Sequence, residues 1–324
     1  MSRALITGGA GGIGLHLARR LLRAGWQVTL LDNFQRGRRD ADLAAVTAAT
    51  GVTLLDADLA EPAALAALRT DYTHVYHLAA LLGVQNVLER PRAVLEDNVA
   101  LTLAALELGR RQAALECFLF ASTSEVYAGT LEHFTLPMPT PETTPLALPP
   151  LARARTSYML SKLYGEALCL HAGLPVTIIR PHNVYGPRMG MAHVIPQMLE
   201  RAHRLGAGDT FEVYSAEHTR TFCYVDDAVE MILALSTTAA ARGQAVNVGT
   251  EAPEMRMDAL ARIVLATVGR TATIAPAPAT EGSPPRRAPD MSRCRALTGY
   301  TSRVTLEDGV ARTWAWYRDQ FSTP

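Results

Sequence analysis

A tyrosine and a lysine four residues apart are the part of this sequence best suited to chemistry. Tyr158 and Lys162 lie in a stretch of helical character, and residues spaced by four share one face of a helix. A free tyrosine ionises near about pH 10, so alone it is a poor base at neutral pH. A nearby ammonium favours the phenolate and lowers its pKa. We therefore expect this pair to take a proton from a hydroxyl group while a hydride leaves the same carbon.

The Tyr-x-x-x-Lys spacing also occurs in ordinary amphipathic helices, so its meaning depends on the rest of the chain. The 324 residues suffice for one large domain or two closely packed ones. Lys+Arg and Asp+Glu are balanced at 31 each, so no overall field attracts nucleic acid or an anionic membrane. An anionic ligand must therefore be held by local charges.

Cysteine and histidine usage predicts a protein without disulfides or a bound metal. The four cysteines are scattered and form no Cys-x-x-Cys pair, and the histidines show no ligand-like spacing. A strand is predicted within three residues of Met1, so we expect no signal peptide. No apolar run approaches the roughly 18–20 residues of a membrane helix. A cytoplasmic protein is the expectation.

A glycine-rich turn near the start predicts a dinucleotide site. The predicted strand 4–7 runs into Gly8, Gly11 and Gly14, and a helix follows to Arg23. Glycines at this spacing permit a tight turn and close approach of a phosphate. The N–H groups and dipole of the helix N-terminus then favour a pyrophosphate. Gly12 and Ile13 belong to the same predicted cofactor loop.

The end of the second predicted strand, 27–31, indicates which dinucleotide binds. Asp32 and Asn33 follow it at once. A carboxylate there can hold the adenosine ribose hydroxyls and would repel a 2′-phosphate, which favours NAD over NADP. The next positive charges are those of Arg36, Arg38 and Arg39. Because of them, NADP stays an alternative cofactor.

The alternation of strands and helices predicts an α/β fold with a doubly wound parallel Rossmann sheet. Further strands are predicted at 52–55, 75–80, 117–121 and 176–180, and a helix at about 92–110. Ligands of such sheets bind beyond the carboxyl ends of the strands. On this basis the cofactor set also includes Asp58, Leu59, Leu78, Ala79, Ala80, Asn98 and Ser122. For Asn98, a buried structural amide is the alternative.

The second half of the chain has a looser pattern. The proline-rich segment 136–151 is expected to be an extended loop, and Thr156 or Ser157 to cap the Tyr158 helix. Short strands are predicted at 210–214 and 220–225. We expect residues 1–180 with about 220–250 to form the NAD-binding domain. Residues 181–219 and 251–324 form a smaller, discontinuous substrate lobe.

In order and spacing, these motifs resemble the extended short-chain dehydrogenase/reductases, specifically the NAD-dependent nucleotide-sugar epimerase/dehydratase family. The resemblance runs essentially end to end and rests on the segments Gly8–Gly14, Asp32, Asp58, 122–127, 158–162 and 180–187. It implies an NAD that is reduced and reoxidised within one cycle. Tyr158 would take the proton of sugar O4, Lys162 would tune it and hold the nicotinamide ribose, and Thr123 would orient O4.

The pair Ser124-Glu125 bears on the fate of the resulting 4-keto sugar. It resembles the dehydratases and UDP-glucuronate decarboxylases of the family, whose chemistry continues at C5 by 4,6-dehydration or decarboxylation. A Glu125 that only bonds a loop backbone would fit the alternative, a 4-epimerase. A ketone reductase using external NADPH and a dinucleotide-binding protein without turnover are more remote alternatives.

The resemblance also implies a substrate site. Its predicted residues are Gln85, Asn183, Arg188, Tyr214, Arg220 and Arg287, with Arg220 and Arg287 as diphosphate ligands. Gly12 stands where the family usually has a bulky residue, and segments 81–85 and 189–193 depart from the common pattern. The nucleotide and sugar therefore stay open, with a UDP-sugar favoured by the family. The resemblance further suggests a homodimer through the Asn98 and Tyr158 helices.

Overall fold

The computed structural model describes residues 2–206, 208–279 and 284–321, without the side chain of Val84. Residues 1, 207, 280–283 and 322–324, which the predicted domains include, lie outside the described residues. The bounds of the two predicted domains stay a prediction.

The strands form one large sheet and several small ones. Seven of them pair in parallel in the order β11-β6-β5-β4-β1-β2-β3. In chain order the strands are β1 (Arg3–Thr7), β2 (Gln27–Asp32), β3 (Val52–Asp56), β4 (His74–His77), β5 (Cys117–Ala121), β6 (Val176–Pro181), β7 (Val184–Tyr185), β8 (Thr210–Tyr214), β9 (Thr219–Arg220), β10 (Cys223–Tyr224), β11 (Gln244–Val248), β12 (Met255–Arg256), β13 (Thr273–Ala277) and β14 (Arg286–Arg287).

The helices lie between these strands and on both faces of the large sheet. Two 3₁₀ helices span Ser124–Tyr127 and Ala239–Ala241. The α-helices are α1 (Gly12–Arg23), α2 (Ala41–Thr47), α3 (Pro62–Ala67), α4 (Val84–Glu89), α5 (Pro91–Arg110), α6 (Ala128–His133), α7 (Ala154–Leu170), α8 (Val194–His203), α9 (Val225–Thr237), α10 (Met257–Val268), α11 (Ser292–Thr298) and α12 (Leu306–Phe321).

The parallel sheet is buried on both faces, as its apolar strands predict. Successive side chains of a strand point to opposite faces. Leu5 and Phe118 accordingly join one hydrophobic cluster, and Ile6 and Leu119 join the other. The first cluster is covered by α5 and α7, and the second by α1 and α9. The predicted α/β Rossmann fold is confirmed.

The remaining strands build small sheets outside the central one. The strand β8 pairs with β13, and β9 lies between β12 and β14. The predicted strand 220–225 is in fact two, β9 and β10, which belong to different sheets. Strand β13 and helix α10 were not predicted. With Pro276 inside it, β13 lacks a clear strand pattern.

The start of the Tyr158 helix differs from the prediction. Helix α7 begins at Ala154 with Arg153 at the N-cap, whose side chain makes no capping bond. Thr156 Oγ1 donates to Pro150 O at 2.9 Å, and Ser157 Oγ donates to Ala154 O at 2.7 Å. The predicted cap at Thr156 or Ser157 is therefore wrong, because the helix had already begun. Segment 136–151 contains no helix. Its backbone forms an isolated parallel β-bridge between Thr140 and Pro289.

Candidate active site

The loop between β1 and α1 has the shape that a dinucleotide requires. Gly8 has a φ of +71° and donates its N–H to Leu31 O at 2.8 Å. A Cβ on Gly8 would lie 2.9 Å from Ala79 N, and one on Gly14 would overlap the Gly8 carbonyl. Larger residues would force these backbones apart. The first turn of α1 carries no side-chain cap at Gly11, which leaves its N–H groups for a pyrophosphate.

The adenosine end of this groove lies at the carboxyl ends of β2 and β3. Asp32 Oδ2 accepts Ala10 N–H at 3.0 Å, and Oδ1 accepts Phe34 N–H at 2.8 Å. Burial raises the pKa of Asp32, while these bonds and the charge of Arg188 act against it. Asn33 Nδ2 donates to Asp58 Oδ2 at 2.9 Å. The cavity at this end is lined by Asp32, Asn33, Asp58, Leu59, Leu78, Ala79 and Ala80.

Asn98 supports this cavity from behind. It is buried, accepts Leu81 N–H at 2.7 Å, and donates to Leu81 O at 3.0 Å and to Ser161 Oγ at 3.2 Å. Asn98 lines neither cavity of the groove. These contacts agree with the alternative interpretation of Asn98 as a structural amide, and its role at the cofactor stays a prediction.

A second cavity continues from the glycine loop to the catalytic residues predicted from the sequence. Its lining includes Gly11, Gly12, Ile13, Gly14, Ser122, Thr123, Ser124, Glu125, Tyr158 and Lys162. These side chains come from α1, from the carboxyl end of β5 and from α7. Three distant parts of the chain therefore meet in one pocket.

Lys162 is buried beneath Tyr158. Its Nζ donates to Ala121 O at 2.7 Å and lies 5.9 Å from the centre of the Tyr158 ring. Burial lowers the pKa of Lys162 to about 8. The residue is 4% exposed, so its ammonium cannot gain full hydration.

The pKa of Tyr158 is shifted upward, in the opposite direction to the one expected from the sequence. Its pKa is raised, first by burial and then by the negative charge of Glu125. The charge of Arg36 and a hydrogen bond with Thr123 act in the opposite direction. In the protein alone, the cation that lowers the Tyr158 pKa is therefore Arg36, whereas Lys162 is held by a backbone carbonyl.

An ion pair crosses the part of the second cavity that is lined by Glu125, Asn183 and Arg287, here called the sugar end after the predicted substrate. Arg287 Nη1 donates to Glu125 Oε1 at 2.8 Å. The charge of Arg287 is the largest cause that lowers the Glu125 pKa, burial opposes it, and Arg155 and Arg220 add to the lowering. Arg286 instead pairs with Glu254. Neighbouring side chains of a strand point to opposite sides, so Arg287 is the arginine of this pair that reaches the cavity.

Asn183 also lines the sugar end of the cavity, and its Nδ2 donates to Thr221 O at 2.9 Å. Four other predicted substrate ligands line neither cavity. Gln85 is exposed and donates to Glu89 at 3.1 Å, and Tyr214 is half exposed on β8. Arg220 is buried and donates to Pro284 O at 2.5 Å. The structure does not bring these side chains to the cavity wall.

The fourth of these residues, Arg188, forms its contacts away from the walls of the two cavities. Its side chain is 1% exposed and pairs with Asp40 at 2.7 Å. It also donates to the carbonyl groups of Ala10 and Arg38, each at 2.7 Å. Arg188 therefore contacts the back of the glycine loop and not the sugar end of the cavity, and its role as a substrate ligand stays a prediction.

Two cavity residues were not predicted as ligands. Arg155 lies three residues before Tyr158 on α7 and lines the same cavity, so the i,i+3 spacing could have revealed it. Arg36 lines both cavities. Within the described part of the chain, no hydrogen bond or ion pair occupies the guanidinium group of either residue. Both cations are thus available to anionic ligands.

Two other classes of site are absent from the described ranges. No group of three or more His, Cys, Asp or Glu side chains there could hold a metal ion. No described helix is long and apolar enough to cross a membrane.

The fold and the groove are those of a Rossmann dinucleotide-binding protein whose second cavity contains a tyrosine and a lysine four residues apart. Residues 4–249 match the model of the NAD dependent epimerase/dehydratase family. The chain belongs to this family, and its cofactor is NAD.

Known relatives match over nearly the whole chain. The UDP-N-acetyl-alpha-D-glucosaminuronate decarboxylase of Bacillus cytotoxicus is 33% identical, with 98% of each chain covered. UDP-glucuronic acid decarboxylase 1 of Xenopus tropicalis is 32% identical over 98% of this chain and 72% of its own length. Among solved structures, the dTDP-glucose 4,6-dehydratase of Streptomyces venezuelae, with NAD bound, is 26% identical and superposes with a TM-score of 0.83. It covers 98% of this chain and 97% of its own.

Proposed function

We propose that this enzyme oxidises a nucleotide sugar, a UDP-linked uronic acid by preference, at C4 and then releases its C5 carboxylate as CO2. The observation that carries this proposal is the Glu125–Arg287 ion pair, which faces the same cavity as Tyr158. The decarboxylases among the relatives support it.

Thr123, Tyr158 and Lys162 carry out the first half of the reaction. Tyr158 accepts the O4 proton, Thr123 orients the hydroxyl from the wall of the same cavity, and Lys162 supplies positive charge below the ring. A bound NAD would supply the hydride acceptor for C4 and, later in the cycle, the hydride donor. The walls that would hold NAD are the glycine loop, Asp32 and Leu78–Ala80.

The ketone at C4 makes the C5 carboxylate a β-keto acid. When the C5–C6 bond breaks, its electron pair moves to the C4 oxygen, where the Tyr158 and Thr123 hydroxyls can stabilise it. C5 then takes up a proton from water as the C4 ketone re-forms, and Tyr158 gives its proton back to O4 when the hydride returns to C4. Arg287 is held at this end of the cavity by Glu125 at 2.8 Å, and Arg155, which forms no hydrogen bond or ion pair with another described residue, adds a cation for the substrate carboxylate.

Decarboxylation fits these residues better than 4,6-dehydration. Loss of water from C5 and C6 needs a base for the C5 proton and an acid for the departing hydroxyl. Glu125 could be the base, but because Arg287 lowers its pKa, Glu125 is ionised near neutral pH and carries no proton for the departing hydroxyl. Its neighbour Ser124 is no carboxylic acid either. A cation-lined pocket with one ionised carboxylate favours release of CO2.

A homodimer is part of the same proposal. Helices α5 and α7 pack side by side and leave Leu103, Tyr164 and Leu170 about half exposed. Such an apolar face is typical of a surface that a partner covers. We also propose a cytoplasmic location, which the four buried free cysteines support.

Mass spectrometry of purified enzyme tests the reaction. The protein, without added NAD, is incubated with UDP-glucuronate, UDP-N-acetylglucosaminuronate, UDP-glucose and dTDP-glucose. We expect loss of CO2 from a uronate and no change in the neutral sugars. Loss of water from dTDP-glucose would establish a dehydratase instead, and an isomer of unchanged mass would establish an epimerase. The variant Glu125→Gln, which removes the negative charge that pairs with Arg287, should slow CO2 release without releasing bound NAD.

A further inference from the structure

The segment 186–190, here called the latch, joins the glycine loop to the C-terminal part of the chain. Arg188 at its centre has a φ of +69°, a left-handed conformation that costs a non-glycine residue free energy. The structure therefore holds Arg188 in place through its side-chain contacts.

The guanidinium group of Arg188 uses its donors on two loops. It donates to Ala10 O at 2.7 Å in the glycine loop, and to Arg38 O and Asp40 in the loop after β2. Asp40 in turn accepts Leu43 N–H at 2.9 Å as the N-cap of α2. Both loops border the cavities assigned to NAD.

The bond to Ala10 O determines how the glycine loop presents its N–H groups. A trans peptide is planar, so its C=O and N–H point in opposite directions. With Ala10 O turned toward Arg188, the N–H of Gly11 turns inward and donates to Gly8 O at 3.1 Å. Arg188 therefore stabilises the tight turn from outside the cofactor cavity.

The neighbours of Arg188 reinforce the latch. Met189 packs on Gly12: a Cβ at Gly12 would lie 2.7 Å from its sulfur. This contact explains why the loop tolerates glycine where a bulky residue is usual. Gly190 N–H donates to Tyr317 OH on α12 at 3.0 Å. The latch therefore touches the glycine loop on one side and α12 on the other.

We propose that Arg188 is a positioning residue that keeps the glycine loop closed on NAD, so that the cofactor stays bound between turnovers. This role requires the NAD cofactor but not decarboxylation. Its failure and the failure of the proposed reaction are therefore distinguishable.

NAD retention measures this role directly. Arg188→Met should release NAD at least about tenfold faster, a change worth about 1.4 kcal/mol, and should retain less NAD per chain after gel filtration. Added NAD should restore its turnover. Arg188→Lys should lie between this variant and the wild type, because an ammonium can pair with Asp40 but lacks the planar fork.

A matched control separates positioning from general stability. Arg20 on α1 pairs with Glu230 at 2.5 Å and makes no bond to the glycine loop. Arg20→Met should release NAD at the wild-type rate. Equal release from wild type and Arg188→Met, or equally fast release from both methionine variants, would overturn the role of Arg188. If Arg188→Met does not fold, Met189→Ala, which leaves the arginine in place, should still release NAD faster, and wild-type release from it would overturn the latch.

Discussion

At the residue scale, burial and neighbouring charge set the protonation of the active site. The pKa of Lys162 falls to about 8, that of Tyr158 rises, and that of Glu125 falls. Each shift has a local cause: desolvation for Lys162 and Tyr158, and the Arg287 charge for Glu125. A tyrosine with a raised pKa needs its substrate, cofactor and cationic neighbours before it can act as a base.

Removal of the Tyr158 hydroxyl should abolish chemistry and spare the fold. Tyr158→Phe is expected to lower the rate of product formation by about 10²–10⁴-fold, the usual range for general acid–base catalysis. Mass spectrometry of the sugar products measures this rate. Tyr164→Phe on the same helix is the control, since Tyr164 is 52% exposed and lines neither cavity. A Tyr158→Phe enzyme of normal rate would exclude the tyrosine as the base.

The pH profile should report the Glu125–Arg287 pair. The folded-state pKa of Glu125 lies below its ordinary value of 4.5, chiefly because of Arg287. Activity that needs the carboxylate is therefore present above that range and is lost as the pH falls through the folded pKa. Arg287→Met removes the largest lowering cause, so the acidic limb of kcat against pH should move to higher pH.

The variant Arg287→Lys serves as the control for this measurement, because it keeps the charge and should leave the acidic limb close to that of wild type. An acidic limb that stays in place in Arg287→Met would show that Glu125 does not control it.

At the element scale, the loop that joins β1 to α1 is shaped by contacts that only glycine allows. A Cβ at Gly14 would overlap the Gly8 carbonyl, so the turn must open before alanine fits. Helix α7 presents different residues on its different faces. One face carries Tyr158 and Lys162 to the cavity, and Tyr164 lies on another.

The substitution Gly14→Ala should therefore weaken NAD binding by at least about tenfold, which isothermal titration calorimetry of NAD-free protein can measure. Gly25→Ala is a matched control. Gly25 has a φ of +78° and no neighbour within 4 Å of a Cβ. It should lose about 1–2 kcal/mol of stability through strain alone and keep its NAD affinity. Equal NAD affinity in both variants would show that the glycine turn is not the cofactor cradle.

At the scale of the whole molecule, the groove joins parts of the chain that are far apart in sequence. The central sheet provides the NAD walls, and Asn183 and Arg287 approach from segments outside it. The α5–α7 face lies on the side of the sheet that carries the Leu5 and Phe118 cluster. Its exposed side chains are the ones that a second copy would cover.

Negative charges introduced on the α5–α7 face should dissociate the proposed dimer. Leu103→Glu combined with Tyr164→Glu is expected to give a monomer, because burying two unpaired carboxylates is costly. Light scattering coupled to gel filtration gives the mass. Leu148→Glu is the control, since Leu148 is 46% exposed but lies in the proline-rich loop. A double variant of the same mass as wild type would place the interface elsewhere.

Local pattern in the sequence was sufficient for the central strands, the glycine turn and the Tyr158–Lys162 pair. Each depends on residues close in the chain: apolar runs form buried strands, glycines permit the turn, and a spacing of four shares a helix face. Tertiary structure decided the remaining positions. Arg188 bonds Ala10, which is 178 positions away, and Arg287 bonds Glu125 across 162 positions. Such contacts depend on how the elements pack. Local periodicity in the sequence therefore cannot predict that Arg287 points into the cavity or that Arg188 binds the glycine loop.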